Sequence, residues 1–312
     1  MMNKNAVILI CDENYLPPTC FFADQISNQS LRKNFDIIIA SAETFDLPET
    51  LKAKGVSFKL LQNVEKLQDL KTHPNRLPIT CYYDLLVPDL LGDRYERVLY
   101  LDSDMYLEGG DLAEIFEIDM KGCSVAAVRD VQQWNRPLKH VYEFEAAGLS
   151  AAPYFNSGLL LFDTQKFIQD NVLNNCLEFG LSNPHALLHH DQSLLNIILH
   201  KNWCELNPLW NWQYTIMKPF FTITQPIRIA HFLGDKPWSD PKGACPPRYW
   251  NSMKPYISNE FPNWSGYKLS PQHQQNTPKK FIRRAFDHLM VLANTKRNLS
   301  RFSSYTDTFS TG

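Results

Sequence analysis

Long apolar runs are missing from this chain: no stretch approaches the roughly 20 residues that a membrane-spanning helix requires, so a soluble or peripheral protein is expected. An excess of charge of one sign is missing too. With 31 Lys and Arg against 33 Asp and Glu, the formal net charge of -2 carries no polyanion-binding signature, and nucleic acid is not an expected partner. The seven cysteines (Cys11, Cys20, Cys81, Cys123, Cys176, Cys204 and Cys245) are odd in number, scattered, and include no Cys-x-x-Cys pair that could hold zinc. They read as reduced, mostly buried thiols. The apolar run at 6–11 is too short for a secretory h-region and stops at Asp12-Glu13, so it reads as a strand, and a cytoplasmic protein is expected. There is no glycine-rich amino-terminal loop with Arg and Lys, which argues against a sugar-nucleotide pyrophosphorylase. What is present is 44% hydrophobic residues over 312 positions, enough for one large α/β domain and a small appendage.

Short β-type runs at 6–11, 35–40, 56–61 and 97–101 alternate with helical patterns, which predicts a mostly parallel sheet with crossover helices. Residues 80–91 have helical spacing that Pro88 must bend or restart. Further strands are expected at 124–128, 154–162 and 227–232, and an amphipathic helix at 187–200. Beyond Trp238 prolines crowd and periodicity is lost. Residues 1–238 therefore read as the main domain, 239–269 as an irregular extension, and 270–312 as a separate tail. In that tail Thr277-Pro278 reads as a helix start, Ile282, Phe286, Leu289 and Ala293 share one helical face, and 302–312 read as frayed.

Asp102 and Asp104 directly follow the run at 97–101. A bare Asp-x-Asp is weak evidence, since 20 aspartates in this length produce about one such pattern by chance. Position adds information, because ligands of open α/β sheets bind outside the carboxyl ends of strands, where two carboxylates can share a divalent cation with phosphate oxygens. The competing reading is a solvated strand-end turn. His231 begins a second cluster, His231-Phe232-Leu233-Gly234-Asp235-Lys236, in which Gly234 admits close backbone approach to an anion and Lys236 suits phosphate. Two carboxylates with one imidazole favour manganese over magnesium, although His231 as a plain core residue fits equally well. In the strand at 154–162 a polar triplet, Asn156-Ser157-Gly158, reads as a bulge or a site. Adjacent His189 and His190 diverge by about 100° on a helix and make a poor zinc pair, and Asp191 could simply cap.

Taken together and in order, Cys11-Asp12-Glu13-Asn14-Tyr15, the Asp102/Asp104 strand, Phe155-Asn156-Ser157-Gly158, Asp191-Gln192 and His231 to Trp238 resemble glycosyltransferase family 8. This retaining family includes lipopolysaccharide galactosyl- and glucosyltransferases, galactinol synthases and glycogenins. The resemblance implies an A-type glycosyltransferase fold, a Rossmann-like mixed α/β sheet flanked by helices. It further implies a UDP-hexose donor, with Asp12 and Asn14 holding uracil and ribose and Tyr15 beside the base. Asp102, Asp104 and His231 match the ligands of Mn2+, with Mg2+ the alternative. Asn156, Asp191 and Gln192 match positions around the donor sugar, Gly234 and Lys236 match diphosphate contacts, and Asp130 sits near sugar and acceptor. The implied acceptor is a glycan or lipid-linked saccharide.

Two departures stand out. Where the family usually has Tyr-Arg-Leu, this chain has Tyr83-Asp84-Leu85. At about 6 Å and an effective dielectric near 20, a carboxylate would repel each phosphate charge by roughly 3 kcal/mol, so Asp84 must turn away, pair with a cation, or mark an altered substrate. The last motif is also one residue shorter than Gly-x-x-Lys-Pro-Trp, leaving the reach of Lys236 open. A metal-dependent phosphohydrolase and a non-catalytic nucleotide-sugar-binding protein are the competing classes. From 268 to 301 the sequence sets Lys268, Lys279, Lys280, Arg283, Arg284, Lys296, Arg297 and Arg301 against the single acid Asp287. The tail is expected to lie on an anionic membrane surface, at the inner face of the cytoplasmic membrane. The alternative is a helix docked on the catalytic domain.

Overall fold

Strand sequences that are apolar at nearly every position require cover on both faces, and the main sheet has it. The computed structural model describes residues 3–30, 32, 34–70, 79–134, 136, 139–214, 224–240, 245–266, 268–269 and 278–312. Strands β1 (Asn5–Ile10), β2 (Phe35–Ser41), β3 (Val56–Leu60) and β4 (Arg97–Leu101) are parallel neighbours in the order β4-β1-β2-β3. A short β5 (Met105–Leu107) leaves this sheet, which continues through β6 (Val125–Arg129), β7 (Phe155–Asp163) and β8 (Cys204–Leu206). β7 runs antiparallel between β4 and β6, and β8 is parallel to β6. A three-stranded sheet has β10 (Ile229–Phe232) between β9 (Trp212–Tyr214) and β5. The two-residue strands β11 (Ser239–Asp240) and β12 (Lys268–Leu269) pair with each other, and β13 (Thr308–Ser310) completes the main sheet beside β8. The sheet is therefore mixed.

Period-2 alternation sorts the strand residues between two cores. Val7, Leu9, Leu99, Leu101, Leu159 and Leu161 point to the face covered by helix Leu16–Gln29 through Cys20, Phe22 and Ile26. Ala6, Ile8, Val98, Leu160 and Phe162 point to the other, where Tyr82, Leu85, Leu194 and Leu195 pack. Pro88 restarts rather than ends the helical segment: a 3-10 stretch Ile79–Leu86 passes into an α-turn Val87–Leu91 with proline in its first turn. All seven cysteines are free and six are buried.

Two expectations about the carboxyl-terminal part need correction. Residues 239–269 are not irregular throughout, for Pro247–Glu260 form a helix whose Tyr249, Trp250, Met253 and Ile257 are buried. Proline crowding hid it, since Pro247 sits at a tolerated first-turn position and Pro255 lies inside the helix. Residues 302–312 are not frayed either. Phe302 is buried and stacks edge-on with Phe309, Tyr305 lies under Arg228, and β13 pairs with β8. Their composition is polar and small, but a strand needs only backbone to cover an open sheet edge.

The helix Pro278–Leu299 divides its apolar residues between two directions. Val291 is buried in the main core and Leu292 and Leu299 pack against it, whereas Ile282, Phe286, Leu289 and Met290 are 62–67% exposed. The helix start at Thr277 and the linker before it lie outside the described residues, as do the side chains of Lys268, Lys279, Lys280, Arg283 and Arg284.

Candidate active site

β4 ends by handing its chain to a tight junction of the two sheets. The Asp102 amide donates to Gly158 O at 2.8 Å, Ser103 Oγ donates to Ile10 O at 2.9 Å, and Tyr100 Oη donates to Asp102 Oδ1 at 2.7 Å. The chain then enters β5, where Met105 is in register with His231 and the Phe232 amide donates to Asp104 O at 3.1 Å. His231 consequently lies within a strand of the small sheet, not after a strand at the edge that carries Asp102. Sheet-to-sheet pairing, which sequence spacing does not encode, brings the three residues together.

His231 Nε2 is 3.2 Å from Asp104 Oδ1 and 3.5 Å from Asp102 Oδ2. Its Nδ1–H donates to Asn211 Oδ1 at 3.1 Å, which fixes the tautomer and turns the Nε2 lone pair toward both carboxylates. Asn211 in turn donates to Asn156 Oδ1 at 2.8 Å. The three ligand atoms lie within 4.8 Å of one another, and Asp104 Oδ1 is buried without a hydrogen-bond partner. That oxygen, with a second carboxylate and a lone-pair imidazole beside it, fits a divalent cation that takes oxygen and nitrogen ligands.

Burial, reinforced by the Asp104 charge, raises Asp102 above the ordinary carboxylate range. Burial acts on Asp104 in the same sense, but the positive charge of Lys236, paired with its Oδ2, outweighs it and holds Asp104 low. Lys236 Nζ pairs with Asp104 Oδ2 and Phe232 O, so the shortened motif does bring its ammonium to the carboxylates. Gly234 is exposed, and a Cβ there would meet nothing within 4 Å, so the fold itself does not require glycine at that position.

A cavity of about 330 Å³ opens over this cluster, lined by Asp12, Tyr15, Tyr100, Asp102, Asp104 and Asp191 among others. Asp12 caps its 3-10 turn by accepting from the Tyr15 amide at 3.0 Å, and Tyr15 stands edge-on to Trp238 at 5.9 Å. Asn14 is exposed and faces a neighbouring hollow instead. Asn156 and Gln192 are buried behind the wall, with Gln192 Oε1 accepting from Asn156 Nδ2 at 3.0 Å and from the Ser157 amide at 3.2 Å. Asp130 lines a second cavity and is joined to the first through Gln192 Nε2 at 3.5 Å. Asp191 is pushed up to about 7 by burial and by the Asp102 charge. The polar triplet forms a bulge, and the bulge borders the cavity. β6–β7 pairing jumps from Ala127↔Leu160 to Val128↔Asn156, and the slack turns Ser157 into the cavity.

Residues 6–242 match the profile of glycosyl transferase family 8. The chain belongs to this family. It is 30% identical over 210 residues to general stress protein A of Bacillus subtilis, covering 62% of this chain and 71% of that protein. It is 28% identical to glycosyltransferase GlyF of Streptococcus pneumoniae over 76% of this chain and 58% of that one. To lipopolysaccharide 1,2-glucosyltransferase of Escherichia coli it is 27% identical over 50% of this chain and 48% of that one. The chain thus spans little more than half the length of several curated relatives it matches. Its fold is that of the galactosyltransferase LgtC, solved with donor and acceptor sugar analogs, at a TM-score of 0.65 and 19% identity over 80% of this chain and 95% of that one.

Asp84 stands where the resemblance to the family leads one to expect an arginine. The carboxylate is 2% exposed, both of its oxygens are buried without a hydrogen-bond partner, and it does not line the donor-side cavity. Burial, with Asp191 and Asp102 nearby, raises it well above the ordinary range, which favours the neutral acid and lessens the expected repulsion. A folded state that holds this proton loses stability as pH climbs from the ordinary carboxylate range through the raised value. In chelator, Asp84→Asn is therefore expected to raise Tm above wild type near pH 8, with the gain closing toward pH 4. A difference in Tm that stays constant across that range would contradict the protonated assignment.

Residue order carries no signal for Tyr100 or Asn211, and it places Gly158 in a motif without showing what its missing side chain makes room for. Asn211 is fully buried among tryptophans, and its neighbours carry no motif that would have flagged it. Gly158 is required by space, for a Cβ there would stand 2.3 Å from His231 Cε1 and 2.6 Å from Asp102 Oδ2. Cys11 lines the cavity, but burial pushes its thiol up to about 12, which removes it as a nucleophile.

Proposed function

We propose that this chain transfers a hexose from UDP-hexose, with retention at the anomeric carbon, to a glycan or lipid-linked saccharide of the lipopolysaccharide type. The observation that carries the reading is the convergence of Asp102, Asp104 and the buried His231, with both carboxylates lining a cavity that Asp12 and Tyr15 also line. Relatives named as lipopolysaccharide glucosyl- and galactosyltransferases support the substrate class. Mn2+, or Mg2+ in its place, held by those three side chains would supply Lewis-acid stabilisation of charge on the departing diphosphate. Lys236 is placed to add a second positive charge at the same point, so the leaving group needs no general acid. Asp12 and Tyr15 would seat the uridine, with Asn14 on the outer rim. Gln192, pinned by Asn156 and Ser157, would orient the sugar with Asp191, and Asp130 would face the acceptor.

The test is a screen of UDP-glucose, UDP-galactose and their N-acetyl forms for manganese-dependent hydrolysis or transfer, run beside Gln192→Ala. Loss of an orienting group costs about 100-fold when geometry slips by an ångström. For Gln192→Ala, kcat is expected to fall at least that far while calorimetric UDP-hexose affinity changes less than about threefold. Lost affinity with surviving kcat would make Gln192 a binding residue. Release of phosphate without sugar transfer would favour the phosphohydrolase.

Residues 1–238 would form the donor-binding part and 239–269 border the acceptor side, with the helix after residue 277 meeting the anionic inner face of the cytoplasmic membrane. No helix among the described residues is long and apolar enough to cross a membrane. In-plane contact through Ile282, Phe286, Leu289 and Met290 is supported by their exposure next to a basic sequence. Replacing these four by serine is expected to reduce co-sedimentation with anionic vesicles at least tenfold, with Tm changed by under about 3 °C, because surface changes cost little. Unchanged sedimentation would end the membrane reading.

A further inference from the structure

One wall of the donor-side cavity gathers acids without a matching base. Helix His190–Ile198 delivers Asp191 to that wall in its first turn, and the 3-10 stretch Ile79–Leu86 brings Thr80 and Cys81 beside it. Residues three apart in a 3-10 helix share a face, so Asp84 lies on the face that Cys81 turns to the cavity. The charges that act on Asp84 are those of Asp191 and Asp102, which both line the cavity. None of the described residues lining it is Lys, Arg or His.

Most of the local charge is already matched. Asp102 and Asp104 form the cluster with His231, and Lys236 is taken up by Asp104 Oδ2 and Phe232 O. Asp84 and Asp191 are left over. Asp84 is 2% exposed and neither of its oxygens has a hydrogen-bond partner, an arrangement that a fold rarely leaves uncompensated. An arginine at position 84 would neutralise Asp191 from within the chain. With aspartate there, the missing positive charge has to arrive with a ligand.

The wall also selects the kind of cation. A metal ion needs several ligand atoms converging on one point, and among the described residues only Asp102, Asp104 and His231 form such a group of three. An ammonium group instead offers three N–H donors, and Asp191, with Ser157 bonded to its carboxylate, presents acceptors at the cavity wall. A neutral hydroxyl would leave the second acid uncompensated, and an acidic sugar would be repelled.

We propose that the hexose this chain transfers carries a free amine, that its ammonium pairs with Asp191, and that Asp84, standing in place of an arginine, sets this preference from behind the wall. Asp84 is thus a positioning residue acting through Asp191. The inference rests on the hexosyltransfer reading, and its test separates the two. Calorimetry on the full-length protein with Mn2+ at about pH 6.5, below the range in which an amine titrates, compares UDP-glucosamine, UDP-galactosamine and UDP-4-amino-4-deoxyglucose with their hydroxyl and N-acetyl counterparts. At least one amino form is expected to bind tenfold or more tightly than both counterparts, and no such preference in any of the three overturns the proposal. Asp84→Asn is expected to cut the preference at least fivefold while UDP itself binds within twofold of wild type. An unchanged preference in that variant would overturn the role of Asp84. Asp84→Arg is expected to reverse the order in favour of the hydroxyl forms. If UDP-glucose or UDP-galactose is transferred and no amino form is preferred, the hexosyltransfer reading stands and this inference falls. If an amino form is preferred in an Asp84-dependent way but no sugar is transferred, the specificity site stands and the transferase reading fails.

Discussion

Asp104→Asn is expected to reduce transfer to less than about 0.1% of wild type, because the loss of Lewis-acid stabilisation costs several kcal/mol of transition-state energy and each 1.4 kcal/mol is tenfold. Asp104 is the pivot of the cluster. One oxygen faces His231 Nε2 at 3.2 Å without a hydrogen-bond partner, and the other carries Lys236. An amide would present a neutral oxygen or an N–H to that site and, lacking the carboxylate's charge, would hold a dication and the ammonium far more weakly. The fold should survive, since Lys236 also bonds Phe232 O and stands beside Asp102, whose acidity it already strengthens. Circular dichroism and a Tm within a few degrees would establish that. Full activity of the variant, or of wild type in excess chelator, would sink the metal assignment.

Glu205→Ala is expected to be the most destabilising single change away from the site, at about 3–5 kcal/mol, the typical cost of removing one partner from a buried ion pair. Glu205 is 1% exposed and receives two forks: Arg129 from β6 at 2.9 and 2.6 Å, and Arg301 from the carboxyl-terminal segment at 2.8 Å to each oxygen. Its loss removes the counter-charge that two neighbouring guanidinium groups share, one of them, on Arg129, buried. Tm should fall by roughly 6–15 °C, at a few degrees per kcal/mol for a chain of this size. Arg301→Ala leaves the Arg129–Glu205 pair intact and should cost far less. Activity should drop with Glu205→Ala, because the Arg129 carbonyl accepts from Trp134 and Gln213 next to Asp130. Equal stabilities of the Glu205 and Arg301 variants would refute this account of how the carboxyl-terminal segment is held. Arg301, Phe302, Tyr305 and β13 together make that segment part of the sheet. Deleting it is therefore no test of membrane binding, whereas substitutions on the exposed helix face are.

Periodicity and turn chemistry, read from residue order alone, were enough to place β1, β2, β3, β4, β6, β7 and β10 within about two residues and to set Asp102 and Asp104 at a strand end. Those features are local, and alternation, capping and strand-end position are written in neighbouring residues. The ordered motifs were likewise enough to indicate the family. Everything that depends on which strands become neighbours was decided by the tertiary structure. Residue order does not reveal that β5 and β10 pair and so lay His231 against Asp104, or that β13 closes the sheet beside β8. Asn211 and Gly158 matter because of what faces them: an imidazole nitrogen for one and a carboxylate with an imidazole for the other. Asp84 shows the same limit from the other side. Sequence could say that an acid had replaced a cation, but whether that acid is charged depends on the burial and neighbouring carboxylates that only folding supplies.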